Sequence, residues 1–151
     1  MECSRCVLKI RRVQPQDIMD VISLAYDTLP ERYNPVIFNQ FYESFPEGFL
    51  VVVNRHHLVG FLIGMKTTPT IARILMLSIQ NKYRKQGIGS SLLKEFLQSM
   101  KRLSVTRVEL EVRTTNQEAL AFYKKQGFSL QHTLSMFYQN GEDAYAMRKD
   151  L

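Results

Sequence analysis

The sequence predicts a mixed α/β (α+β) domain with a central sheet of about seven strands flanked by four helices. Three observations predict it. Strand-like runs and helix-spaced apolar residues follow one another in the order β-α-α-β-β-β-α-β-α-β-β. Hairpin signals stand towards both ends, and strand–helix–strand units lie between them. The 151 residues, 45% apolar and 23% charged, are the size and composition of one compact domain with a substantial core.

The elements follow in order. Val7 to Val13 is the first strand. Pro15 opens a helix whose apolar positions Ile18, Val21, Ile22, Ala25 and Leu29 keep to one face. Leu29-Pro30-Glu31-Arg32-Tyr33-Asn34-Pro35 ends it, since proline cannot continue a helix interior. A second helix carries Phe38, Phe41, Tyr42 and Phe45 at helical spacing, an aromatic stripe that reads as core or groove wall. Phe49 to Asn54 and Leu58 to Met65 form a hairpin around Arg55-His56-His57, and Ile71 to Ile79 is a third apolar strand in succession. The next helix buries Ile88, Leu92, Leu93, Phe96, Leu97, Met100 and Leu103. Thr106 to Arg113 is a strand. Asn116 caps a helix that Gly127 ends, because glycine easily takes the left-handed conformation after a helix. Phe128 to Tyr138 and Asp143 to Arg148 flank Asn140-Gly141, a strong hairpin dipeptide.

No apolar run reaches the ~18 residues of a membrane span, and the N-terminus lacks a signal-peptide stretch, so a cytoplasmic protein is expected. The net charge of +6 favours anionic partners, but its sources, among them Arg11-Arg12, Lys82 to Lys85 and Lys124-Lys125, are scattered as on solvated faces. Cys3 and Cys6 read as free thiols on a frayed terminus of residues 1 to 6. Neither they nor His56, His57 and His132 have the spacing of a metal site.

Between the fourth strand and the third helix stands Arg84-Lys85-Gln86-Gly87-Ile88-Gly89. A glycine-rich turn entering a helix suits an anion: orphan N–H groups point outward, and the dipole adds about half a positive charge. Gly87 and Gly89 keep Cβ atoms out of the way of a phosphate, and Arg84 and Lys85 add charge at the rim. The spacing fits neither the dinucleotide fingerprint nor the phosphate loop. It resembles the Q/R-x-x-G-x-G/A signature of the GNAT N-acetyltransferase superfamily, at the place in the element order where that family carries it. Leu110-Glu111-Val112-Arg113 followed by Asn116, Ala119, Tyr123, Gly127 and Phe128 is similar to the L-E-V-R-x-x-N-x-x-A-x-x-x-Y-x-x-x-G-F run of protein N-terminal acetyltransferases. Phe137-Tyr138-Gln139-Asn140-Gly141-Glu142-Asp143-Ala144 resembles the Y-Y-x-x-G-E-D-A ending of their archaeal and eukaryotic members. Leu29-Pro30-Glu31-Arg32-Tyr33 is similar to their L-P-E-x-Y loop. The resemblance leaves out only residues 1 to 6 and implies one domain over 1–151.

The resemblance implies acetyl-CoA as cosubstrate, no metal, and transfer of its acetyl group to an α-amine by direct attack in a ternary complex. It also implies a bulge in the fourth strand that splays it from the fifth. The pantetheine arm then lies against the backbone of Leu77, Ser78 and Ile79, and the pyrophosphate against Arg84, Lys85, Gln86, Gly87, Ile88, Gly89 and Ser90. Tyr123, two helical turns after the Asn116 cap, is the candidate acid, since a phenol near pKa ~10 is protonated at neutral pH. Asn116 also serves as a cofactor partner. Side chains alternate along the fifth strand, so Glu109, Glu111 and Arg113 share the face opposite the valines and leucine. That charged face needs a wet cleft or internal pairing, either Glu111 with Arg113 or across strands. The resemblance places Glu111 at the general-base position, with Glu31 as a rival or helper through water. An α-amine is roughly a tenth neutral at pH 7 and a lysine well under a thousandth, so one carboxylate is adequate for an N-terminus. Leu29, Glu31, Tyr33, Phe137 and Tyr138 are the candidate walls for a peptide, Phe137 departing from the tyrosine of the family pair.

The expected partners are protein or peptide N-termini, nascent chains on the ribosome among them, with no membrane and no specific nucleic acid. Two alternatives stand beside this reading: acetylation of lysine or a small amine such as a polyamine, and a non-catalytic domain binding acyl-CoA or RNA.

Overall fold

Among the described residues, one seven-stranded sheet contains one parallel junction. The computed structural model describes residues 8–151. The start of the first strand at Val7, the 1–6 terminus and the thiols of Cys3 and Cys6 lie outside the described residues. Strands β1 (Leu8–Arg12), β2 (Phe49–Asn54), β3 (His57–Lys66), β4 (Ile71–Ile79), β5 (Arg107–Arg113), β6 (Ser129–Leu134) and β7 (Ala144–Asp150) form the sheet. Their spatial order is β1-β2-β3-β4-β5-β7-β6. Helices α1 (Ile18–Thr28) and α2 (Val36–Ser44) cover one face, and α3 (Ile88–Arg102) and α4 (Gln117–Lys125) the other. The predicted element order and the mixed α/β class hold.

Neighbouring strands are antiparallel except β4 and β5. These two pair only at Ile71–Arg107, Ala72–Val108 and Arg73–Glu109. Beyond Arg73 they part, opening a wedge. The expected bulge is at its base: the β3–β4 register passes from Ile63–Met76 to Gly64–Ile74 and leaves Leu75 unpaired. The extra residue exchanges the faces of β4. Ala72 and Ile74 are buried with α3 and α4, whereas Met76 is buried with α1 and α2, and Leu77 and Ile79 turn towards α3. A Cβ on Gly64 would lie 2.5 Å from the Phe96 ring, so its absence lets α3 settle beside the bulge.

The helices form for the reasons their spacing gives. Helix α3 buries Ile88, Leu92, Leu93, Phe96 and Met100 along one stripe. The Asn116 side chain accepts from the Ala119 N–H at 3.1 Å and caps α4. Gly127, at φ 96°, turns the chain out of that helix. In α2 the aromatic stripe divides: Phe38 is fully buried beneath α1, whereas Phe45 lies past the helix end and packs on the opposite core.

One expectation is corrected. Asn140-Gly141 does not join two strands directly, because β6 ends at Leu134 and β7 begins at Ala144. The dipeptide makes a small turn, with Gly141 N–H donating to Tyr138 C=O at 2.9 Å, inside a longer loop. That loop departs from the ladder where Met136 takes φ 52° and its N–H is held by Asp143. Among the described residues, no helix is long and apolar enough to cross a membrane.

Candidate active site

The glycine segment begins where β4 ends. The Arg84 guanidinium Nε donates to Ile79 C=O at 3.1 Å, tying the loop to the strand. Lys85 and Gly87 take positive φ, 62° and 81°, and Gly87 stands at the N-cap of α3. No side chain caps this helix. Its first backbone bond is Ser91 N–H to Gly87 C=O, so the N–H groups of Ile88, Gly89 and Ser90 have no helical acceptor. A Cβ on Gly87 would meet no protein atom, so glycine is needed there for its backbone angle rather than for space. Gln86 is exposed, with its amide spent on Lys82 C=O at 3.2 Å, and it stands outside the cavity lining.

The wedge between β4 and β5 holds a cavity of about 530 Å³. Leu77, Ser78 and Ile79 line it from β4, and Arg84, Lys85, Gly87, Ile88, Gly89 and Ser90 line it from the glycine segment. Asn116, Phe122 and Tyr123 close the side belonging to α4. The Ser78 hydroxyl hydrogen-bonds the hydroxyl of Thr28 at the end of α1, and both residues line the cavity. Gln126 donates to the Ser90 hydroxyl at 2.9 Å, fastening the end of α4 to the first turn of α3.

A second cavity of about 180 Å³ opens on the other side of the same wedge. Leu29, Glu31 and Tyr33 line it from the α1–α2 loop, Glu111 and Arg113 from β5, and Tyr138 from the β6–β7 loop. The two cavities share Leu29, Pro30, Leu77, Asn116, Ala119 and Tyr123. Phe137 is the predicted wall residue that the structure does not bring in. It is 47% exposed and meets Tyr138 edge-on, ring centroids 5.0 Å apart.

Tyr123 stands at the junction, 8% exposed, between the rings of Phe122 and Phe128. Burial pushes its phenol well above the ordinary value, which keeps the proton on the oxygen. Burial also raises Tyr33 and Tyr138, in the second case against the opposing pull of Arg113.

The charged face of β5 is both wet and paired. Arg73 on β4 donates to Glu111 and, at 3.2 Å, to Glu109, bridging the strands where their backbone pairing stops. Of the two pairings expected for Glu111, the cross-strand one forms and the one with Arg113 does not. Arg113 instead donates to Glu31 and Glu142 and lies 4.0 Å from the Tyr138 ring centroid. Reading the sequence alone missed Arg73, Thr28 and Gln126, and did not assign Arg113 to the site. Alternation along β5 signals that its charges need partners, but those partners are distant in the chain, 82 residues in the case of Glu31.

Residues 17–128 match the Acetyltransferase (GNAT) family. The N-alpha-acetyltransferase of Sulfolobus acidocaldarius is 32% identical, covering 95% of this chain and 92% of its own. The crystal structure of Ard1 from Thermoplasma volcanium superposes with a TM-score of 0.92 at 35% identity, covering 95% of this chain and 97% of that one. Arabidopsis thaliana Naa50 in complex with the bisubstrate analogue CoA-Ac-MVNAL superposes with a TM-score of 0.82 at 26% identity, covering 95% and 99%.

Proposed function

The chain belongs to the GNAT acetyltransferase family, and from that premise we propose that it transfers the acetyl group of acetyl-CoA to the α-amine of protein N-termini. The observation that carries this reading is the pair of cavities meeting at Leu77, Asn116 and Tyr123. One, of about 530 Å³, is lined by the α3 N-terminus with its unpartnered N–H groups; the other, of about 180 Å³, is lined by Glu31, Tyr33, Glu111, Arg113 and Tyr138. Two substrates entering from opposite sides would meet at their junction, as direct attack in a ternary complex requires.

The larger cavity fits acetyl-CoA by the chemistry of its walls. The free N–H groups of Ile88, Gly89 and Ser90, with the α3 dipole and the cations of Arg84 and Lys85, match a pyrophosphate. The main chain of Leu77 to Ile79, left without a β5 partner, matches an amide-bearing arm. Acetyl-CoA supplies the acetyl group as a thioester. Gap-side N–H groups of β4 polarise its carbonyl, and the Tyr123 hydroxyl gives a proton to the departing sulfur.

Glu111 is our assignment for the base. It stands on a strand in the same cavity as Tyr123, and Arg73 donates to its Oε2. Its remaining lone pairs take the amine proton through water. Glu31, on the loop at the other wall, positions the amine. Glu111→Gln is expected to lower kcat by about a hundredfold and Glu31→Gln to act mainly on the peptide KM.

Nascent chains in the cytoplasm are one source of such N-termini, and the net charge of +6 suits approach to ribosomal RNA. Mass spectrometry of short peptides incubated with protein and acetyl-CoA tests the acceptor. Acetyl groups on N-terminal amines are the expected product. Modification of lysine side chains alone would transfer the assignment to a lysine or small-amine acceptor, and coenzyme binding without turnover would make the protein a non-catalytic binder.

A further inference from the structure

The acceptor cavity is walled in part by two loops that make no ladder with each other: the α1–α2 loop, with Glu31 and Tyr33, and the β6–β7 loop, with Tyr138 in the wall and Glu142 outside it. Between them rises one side chain. Arg113, at the end of β5 and 15% exposed, donates through Nη2 to Glu31 Oε2 and through Nη1 to Glu142 Oε1. The same Nη1 also reaches Asn140 Oδ1 at 3.3 Å, and the guanidinium lies 4.0 Å from the Tyr138 ring centroid.

Resting on the N-terminal acetyltransferase reading, we infer that Arg113 is a positioning residue that clasps both peptide-binding loops, so that one guanidinium sets the width and charge of the acceptor mouth. Three features carry this. First, a planar fork with five N–H donors serves two carboxylates in different directions while its face lies against an aromatic ring; an ammonium on a flexible stem keeps the charge and loses that arrangement. Second, the anchor is the more rigid partner. Arg113 pairs with Ala144 in the β5–β7 ladder, so the loops are referred to the strand that also carries Glu111. Third, the charges leave a surplus. Two carboxylates face one guanidinium, so a net negative charge stands beside a cavity whose substrate arrives as an ammonium. The clasp thus draws the N-terminus in and disfavours an acidic side chain beside it.

The loops themselves provide a readout that does not depend on turnover. Arg32 follows Glu31 in one loop and offers trypsin a bond; Phe137 in the other offers one to chymotrypsin. Arg113→Lys is expected to speed cleavage at both positions, Glu31→Gln at Arg32 alone, and Glu142→Gln at Phe137 alone. With peptide and acetyl-CoA, Arg113→Lys is expected to raise the peptide KM by roughly tenfold or more, the scale of a lost charged hydrogen bond, and to leave the acetyl-CoA KM within about twofold. Glu142→Gln in the Arg113→Lys background is expected to add little further. Unchanged cleavage at both bonds in Arg113→Lys would overturn the clasp. So would equal rises in both KM values with a lowered melting temperature, the mark of a structural role only. A wild-type protein that binds acetyl-CoA but acetylates no peptide N-terminus would refute the functional reading instead, with the cleavage pattern still deciding whether the loops are clasped.

Discussion

The two cavities of the wedge are built from different materials. In the larger cavity, where we propose acetyl-CoA binds, the groups offered to a ligand include main chain: the gap edge of β4 and the first turn of α3. They are placed by hydrogen-bonded elements, a bulge at Leu75 and one left-handed glycine, and most of the nearby side chains are spent elsewhere. In the smaller cavity they are side chains from two loops and from β5, held by ion pairs to Arg113 and to Arg73. A main-chain site binds the constant part of a reaction and tolerates substitution nearby. A side-chain site can be retuned residue by residue and depends on each clasp.

The contrast is broken or sharpened by variants on each side. The largest effect is expected at the junction: Tyr123→Phe should lower kcat by about a hundredfold, with acetyl-CoA affinity kept within about twofold by calorimetry. A slower enzyme that had also lost its coenzyme would place Tyr123 in the binding site and erase the division. Next comes Gly87→Ala. A left-handed alanine costs about 1–2 kcal/mol, and with no clash to relieve, the loop is expected to reorganise and raise the acetyl-CoA dissociation constant by about tenfold while the peptide KM holds. Equal weakening of both substrates would show that the cavities are not separable.

The pH profile gives a subtler test. Peptide kcat/KM should rise as the α-amine deprotonates near pH ~8 and should not turn down on account of the buried phenols until above about pH 10. The sign for stability follows from the same burial. Folding raises the Tyr123 pKa, so its contribution is complete below the unfolded value near ~10 and is lost as pH climbs towards the folded value. Alkaline unfolding should therefore be shallower in Tyr123→Phe. The smallest effect is expected at Phe137→Tyr, which restores the pair usual in the family at a position outside the cavity. Its peptide KM should move by less than about twofold, and a larger gain would mean that this loop closes over a bound peptide.

What could be read from the residues alone is what local rules control. The period of apolar positions gave the helices and strands, Asn116 and Gly127 marked both ends of α4, and Gly87 announced an uncapped helix start. The acetyltransferase signature and the nature of the cosubstrate followed from short motifs. One misreading was also local: Asn140-Gly141 turns the chain as that dipeptide does, but β6 ends at Leu134 and the Met136 N–H is held by Asp143, so no hairpin ladder runs through it. Phe137 is 47% exposed, while its neighbour Tyr138 lines the smaller cavity.

Tertiary structure alone decided the partnerships. Whether Glu111 meets Arg73 or Arg113, whether Glu31 is free, and that the Ser78 hydroxyl is taken up by Thr28 all depend on contacts between residues far apart in the chain. Alternation says which face a charge is on and burial says that it needs a partner, but neither says which. That choice belongs to the wedge: β4 and β5 pair only as far as Arg73, and Arg113, at the far end of β5, pairs with the loops instead.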